Sequence, residues 1–148
     1  MSKLVYIDMD DVLCQYKEAH SEKLKQYPNM PYPQSQLGFF YNLQPISGAV
    51  ESVKELIHST KFDPYILTAP SIHNPGCYTE KRLWIERYFG LNFTKKLIIS
   101  PNKGLLKGGA LVDDHSHGAG QENFSGELIL FRSERFPNWS AVIKHLKC

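Results

Sequence analysis

Three aspartates fall within four positions, Asp8, Asp10 and Asp11, directly after the apolar run Leu4 to Ile7. Crowded carboxylates disfavour one another's ionised forms, so such a cluster calls for a balancing cation. A hard divalent ion with oxygen ligands serves, and Mg²⁺ typically takes one or two carboxylates plus waters and substrate phosphate. A second acidic pair, Asp113 and Asp114, closes the run "GALV". Asp8, Asp10 and Asp113 gathered around one point make a candidate Mg²⁺ site, with Asp114 supporting it or orienting a nearby lysine.

An ionised aspartate can also attack phosphorus, which splits one hard step into two through an aspartyl-phosphate. Asp8 is the candidate nucleophile. Asp10 is placed to protonate the leaving alcohol and then to activate water, work worth roughly 10²–10⁴-fold. Thr68 offers a hydroxyl and Ala69 a backbone N–H to phosphate oxygens, and Lys103 a fixed positive charge. Lys107 is the rival for that last role, and the spacing to Asp113 favours Lys103.

These residues need a scaffold that brings them together. Leu4–Ile7, "DPYILT", "KKLIIS", "GALVDD" and "GELILF" read as five short buried strands. Between and after them lie helical patterns. Leu13 to Tyr27 carries a thin stripe of Leu13, Tyr16, His20, Leu24 and Tyr27. "SGAVESVKELIHS" puts Ala49, Val50, Val53, Leu56 and Ile57 on one face, with Ser47 as N-cap. "TEKRLWIERYFG" stops at Gly90, and a last helix aligns Trp139, Val142, Ile143 and Leu146 after Pro137. Strands alternating with helices predict an α/β fold with a parallel sheet and helices on both faces. Ligands then bind outside the carboxyl ends of the strands, which is where Asp8, Thr68, Lys103, Asp113 and Asp114 fall. The chain reads as a single domain, 1–148, with residues ~14–45 forming a small helical cap inserted after the first strand.

The whole-chain numbers narrow the choice of function. A net charge of +2, with no basic block, argues against long nucleic acid as a partner. No apolar run is long enough to span a membrane. The chain goes straight into a strand without a basic-then-apolar leader. Its three cysteines, at wide spacings, fit a reducing compartment better than a disulfide framework. A cytoplasmic enzyme is expected. His115 and His117 in "DDHSHG" read as hydrophilic loop residues rather than as a transition-metal site.

In order along the chain, "DMDDV", "ILTAP", the lysine of "SPNKG" and "LVDD" resemble the four motifs of haloacid dehalogenase-type phosphatases, which implies a Rossmann-like fold. A narrower resemblance covers "FFYNLQPISGAVESVKEL", "ILTAP", "CYTEKRLWIERYFG" and the step from Lys103 to Asp113. These are similar to the 5′(3′)-deoxyribonucleotidase family, over most of the chain and most weakly between Glu18 and Gln36. The resemblance implies a Mg²⁺-dependent phosphomonoesterase acting on nucleoside monophosphates, chiefly deoxy ones with pyrimidine bases. It implies that Asp10 also ligates metal through its main-chain oxygen. Tyr16 and Phe40 would surround the base, Lys81 would lie near the phosphate end of the pocket, and the protein would form a homodimer. Aromatic stacking on a base is worth ~1–3 kcal/mol and tolerates any base. The chain departs from the family pattern at Asp11, where glycine is usual, and at Gln15, Ala69, Ile72 and Pro101.

Three readings follow. The first is a nucleotidase working through an aspartyl-phosphate. The second is a phosphatase of the same superfamily for a sugar phosphate or another small ester. The third is a relative that binds a nucleotide without catalysis, against which stands the complete set Asp8, Asp10, Thr68, Lys103 and Asp113.

Overall fold

Five apolar segments pair side by side into one parallel sheet in the computed structural model, which describes all 148 residues. They are β1 (Lys3–Ile7), β2 (Phe62–Thr68), β3 (Leu97–Ile99), β4 (Ala110–Asp113) and β5 (Glu127–Leu130), in the spatial order β3-β2-β1-β4-β5. The first strand is central. Register places Ile7 opposite Ile66 on one side and opposite Val112 on the other. That pairing brings Asp8, Thr68 and Asp113 to the same carboxyl edge. Pro64, which has no N–H to give, sits where β2 is paired with β1 alone, before β3 begins opposite Ile66.

Three helices cover one face: α2 (Ala49–His58), α3 (Cys77–Phe89) and α4 (Trp139–Leu146). Val5, Ile7, Ile66, Ala110, Val112 and Ile129 meet Val53, Leu56, Trp84, Ile85, Trp139 and Val142 there in one continuous core. Two indole N–H groups inside this core are satisfied by backbone, Trp84 by the Leu43 carbonyl and Trp139 by that of Val12, each at 2.8 Å. The opposite face carries a smaller cluster of Tyr6, Leu67, Leu111 and Phe124. Its cover is single 3-10 turns at Lys103–Leu105 and Gln121–Asn123, not the full helices expected on both faces. The reason is composition: the links from β3 to β4 and from β4 to β5 are broken by Pro101 and by Gly104, Gly108, Gly109, Gly118, Gly120 and Gly126, residues that do not sustain a helix.

Between β1 and α2 the chain makes α1 (Tyr16–Gln26), a 3-10 turn at Pro33–Ser35, and a turn-rich stretch through Phe39 and Phe40. The predicted stripe on α1 is not a buried face. Leu13 is fully buried, but in the tight turn that precedes the helix, whereas Leu24 and Tyr27 are exposed. No residue of α1 is buried, and Tyr16 and Ala19 pack only partly on the core. A buried carboxylate ties this region down: Glu80 of α3 accepts hydrogen bonds from the backbone N–H groups of Gly38 and Tyr41, both at 3.1 Å. At the start of α2 the cap position belongs to Gly48, at φ 79°, rather than to Ser47. Asn138 caps α4, its Oδ1 accepting from the Ala141 N–H at 3.0 Å.

Candidate functional site

At the carboxyl edge of the sheet lies a cavity of about 470 Å³, lined by Asp8, Asp10, Asp11, Tyr16, Lys17, Ala69, Lys103, Asp113, Asp114, His115, His117 and Gln121 among others. β1 delivers Asp8, β4 delivers Asp113, and the turn after β3 delivers Lys103. Lys103 is 2% exposed and bridges the two carboxylates, 2.9 Å from Asp8 Oδ1 and 2.6 Å from Asp113 Oδ2. Lys107 is exposed and takes no part. The Lys103 backbone is pinned by its own N–H donating to the Ala119 carbonyl at 2.6 Å, and Asn102 Oδ1 accepts from Gly104 N–H at 3.0 Å. Gly120 makes this docking possible. It sits at φ 83°, and a Cβ there would lie 2.0 Å from Asn102 Oδ1.

The electrostatics follow from burial. Loss of water pushes the Asp8 carboxyl well above the usual carboxylate range, against the pull of Lys103, and the neighbouring Asp113 and Asp10 push it further up. Burial alone would lower the Lys103 ammonium, but Asp8 and Asp113 reverse that and hold it above its ordinary value. Burial also raises Asp114, with His115 opposing. The Cys14 thiol, buried beside Asp10, is pushed well up, so it stays a thiol.

Asp113 and Asp114 divide their work in a way that sequence could not show. Both Asp113 oxygens are engaged: Oδ1 accepts the His115 N–H at 3.0 Å, and Oδ2 accepts from Lys103 and, at 3.3 Å, from Gln121 Nε2. Asp114 Oδ1 is buried and has no hydrogen-bond partner. Asp8, Asp113 and Asp114 each bring a carboxylate oxygen to within 4.8 Å of the others. An orphaned, desolvated acceptor oxygen beside two more carboxylates is the donor set a hard divalent cation needs, so these residues fit Mg²⁺. The Asp10 side chain is not part of this cluster.

Asp10 turns the other way. Its Oδ2 accepts from Lys81 Nζ at 3.2 Å, and that ammonium also donates to Thr68 Oγ1 and to the Ala69 carbonyl, both at 2.7 Å. Thr68 and Lys81 are fully buried, and neither reaches the cavity wall, whereas Ala69 does. Phe40, 1% exposed, lies behind Tyr16, with ring centroids 6.0 Å apart. Of the two aromatics expected around a base, only Tyr16 faces the cavity. Desolvation, reinforced by Asp10 and Asp11, raises the Tyr16 phenol to about 12.

Sequence reasoning missed Gln121, which has no motif of its own, and the part played by Asp11. Asp11 adopts φ 63°, the left-handed region that explains why glycine suits this position. Its Oδ1 accepts the Lys17 N–H at 3.1 Å, capping an α1 whose Gln15 gives no side-chain cap, and it lies 3.6 Å from Arg132.

Similarity to known proteins agrees with this layout. Residues 30–138 match the model of a family described as 5′ nucleotidase, deoxy (pyrimidine), cytosolic type C protein. A Vibrio phage KVP40 protein named "Putative 5′(3′)-deoxyribonucleotidase" is 38% identical over 152 residues, covering 97% of this chain and 84% of its own length. The mitochondrial 5′(3′)-deoxyribonucleotidase of Mus musculus is 29% identical, over 87% of this chain and 72% of its own. The Bacillus subtilis 5′(3′)-deoxyribonucleotidase is 27% identical over 99% of both. With most of its length matched by the family model and nearly all of it aligned with the phage protein, the chain belongs to the cytosolic type C 5′-nucleotidase family.

Proposed function

We propose that the protein is a Mg²⁺-dependent phosphomonoesterase that removes phosphate from nucleoside 5′(3′)-monophosphates, with deoxyribonucleotides as the preferred class, through an aspartyl-phosphate on Asp8. The observation that carries this reading is Asp8 itself, a carboxylate at the tip of the central strand, lining the cavity, oriented by Lys103 at 2.9 Å and flanked by a carboxylate oxygen with no partner. The names of its relatives support the substrate class.

In the first half-reaction an Asp8 oxygen attacks phosphorus. The bond from phosphorus to the ester oxygen breaks, and Asp10 gives its proton to that oxygen as the alcohol leaves. In the second, Asp10 takes a proton from water, whose oxygen attacks phosphorus. The Asp8–phosphorus bond breaks, and inorganic phosphate departs. Lys103 carries positive charge beside the attacking oxygen throughout, and the Ala69 backbone N–H is the donor nearest the strand end for a phosphate oxygen. Asp8, Asp114 and the Asp10 main-chain oxygen would hold Mg²⁺, while Asp113 fixes Lys103. A bound Mg²⁺ keeps Asp8 ionised against its burial and spreads charge on the phosphate oxygens. Tyr16 is the stacking surface for a base, and the segment around α1 is the lid that limits water. Buried, unpaired Cys14 and Cys77 support a reducing, cytoplasmic setting.

The test is phosphate release from a panel of deoxynucleoside, ribonucleoside and sugar monophosphates, with Mg²⁺ and with chelator. Metal-dependent release led by deoxynucleotides is expected. A sugar phosphate in the lead would keep the mechanism and discard the nucleotide. No release from any ester would leave a binding protein.

A further inference from the structure

Lys81 is unusual for a helical lysine. It sits in the second turn of α3 with no exposed surface, and each of its three N–H donors has a partner: Thr68 Oγ1, the Ala69 carbonyl and Asp10 Oδ2. The Phe40 ring seals it from the lid side, with Nζ 5.0 Å from the ring centroid. All three donors are spent on protein acceptors and Lys81 itself does not line the cavity, so the ammonium has no donor free for a phosphate oxygen. The resemblance implied a place near the phosphate, and burial points elsewhere.

Asp10 depends on this lysine. Its other oxygen, Oδ1, has only the Cys14 thiol at 3.8 Å, a weak donor at long range. The Lys81 contact is therefore the one strong hold on the Asp10 side chain, and it runs through Thr68 and Ala69 into the end of β2. Proton transfer to a leaving oxygen needs the carboxyl within hydrogen-bond reach at the right angle. A carboxyl free to rotate spends only part of its time there.

We propose that Lys81 is a positioning residue for Asp10, aligning it for proton transfer to the leaving group, and is not a phosphate ligand. This rests on the phosphatase reading above. Leaving-group chemistry separates the two roles. A nucleoside departs as a strongly basic alkoxide and needs the proton from Asp10. A nitrophenolate departs readily without one. A phosphate ligand helps both esters equally, because both present the same phosphoryl group.

The experiment compares wild type, K81M, D10N and the K81M/D10N double variant. It measures kcat/KM, which covers the steps up to departure of the alcohol, for a deoxynucleoside monophosphate and for p-nitrophenyl phosphate. Methionine keeps the apolar stem against Phe40. K81M is expected to lose at least about 10-fold on the nucleotide, a fraction of the ~10²–10⁴ that general acid catalysis supplies, and less than about 3-fold on the aryl ester. On the D10N background it should cost almost nothing further on the nucleotide, since a residue acting through Asp10 has nothing left to position. Should K81M not fold, K81Q, which keeps two N–H donors, replaces it in the same comparison. Equal loss on both esters, or a loss that adds in full to that of D10N, would overturn the proposal while leaving the phosphatase reading intact. A wild type that releases phosphate from neither ester overturns both.

Discussion

Removing charge from Asp114 should stabilise the metal-free protein, an unusual direction for a substitution at a functional site. Asp114 Oδ1 is buried without a partner, and its carboxylate lies within 4.8 Å of those of Asp8 and Asp113. At that distance and an effective dielectric constant of about 20, each ionised pair repels by roughly 3.5 kcal/mol. Lys103 offsets much of the repulsion, and the unsatisfied oxygen adds about 1–3 kcal/mol. D114N removes the charge and supplies an N–H₂ group beside Asp8, so a net gain of about 1–3 kcal/mol is expected. For a chain of this size that is about 2–12 °C in melting temperature, at ~2–4 °C per kcal/mol. The pH dependence carries the sign. Burial raises the Asp114 carboxyl above its ordinary value, so the native state favours the protonated form. Stability from this group is present below the unfolded carboxylate value, about 4, and is lost as pH rises through the raised native value. The advantage of D114N over wild type should therefore grow with pH across that window and then level off. Thermal melts with chelator, from pH 4 to 8, measure it. In Mg²⁺ at about 1,000 times Kd the order should reverse, because binding gives wild type ~4.1 kcal/mol that D114N cannot gain. D113N should behave oppositely and melt lower without metal, because it breaks one of the two buried contacts that hold Lys103, a loss of about 1–3 kcal/mol. A D114N protein that melts lower without metal and keeps a full Mg²⁺ shift would refute the reasoning.

Three other outcomes are expected. D8N should lose turnover by at least about 10³-fold while melting within a few degrees of wild type, read by phosphate release and calorimetry, because its amide cannot attack phosphorus. Y16A should raise KM for nucleotides by roughly 5–150-fold, the equivalent of ~1–3 kcal/mol of stacking, with little change for a sugar phosphate. Equal effects on both would remove Tyr16 from base recognition. D11G should be close to neutral in a denaturant melt, because relief of the left-handed φ of 63° offsets the lost cap on α1, worth ~1 kcal/mol, whereas D11A should be clearly destabilised.

The strand tips were legible because buried parallel strands are continuous apolar runs and their carboxyl ends are where polar residues collect. Asp8, Lys103 and Asp113 needed nothing more to be brought together, whereas Thr68 reaches the same edge but turns to Lys81 instead of the cavity. The division between Asp113 and Asp114 was not legible. Successive side chains leave a strand on opposite sides, and only the position of Lys103 decides which one it meets. Lys81 was legible only through the family resemblance, as a residue near the phosphate, and its burial was not: it and its neighbour Glu80 are both buried, Glu80 holding the Gly38 and Tyr41 backbone and Lys81 holding Asp10. Charge in a sequence marks exposure only on average. The stripe on α1 failed because this helix has few neighbours, and periodicity says nothing about whether a partner is there.

The central claim is that phosphate passes through Asp8. Acid quenching during turnover of a ³²P-labelled deoxynucleoside monophosphate, followed by peptide mapping, tests it most directly. The account predicts label on the peptide containing Asp8, stable in acid, released by hydroxylamine and absent from D8N. Undiminished phosphate release with no label on that peptide at any time would mean that water attacks the ester directly, and that Asp8 serves only the cation.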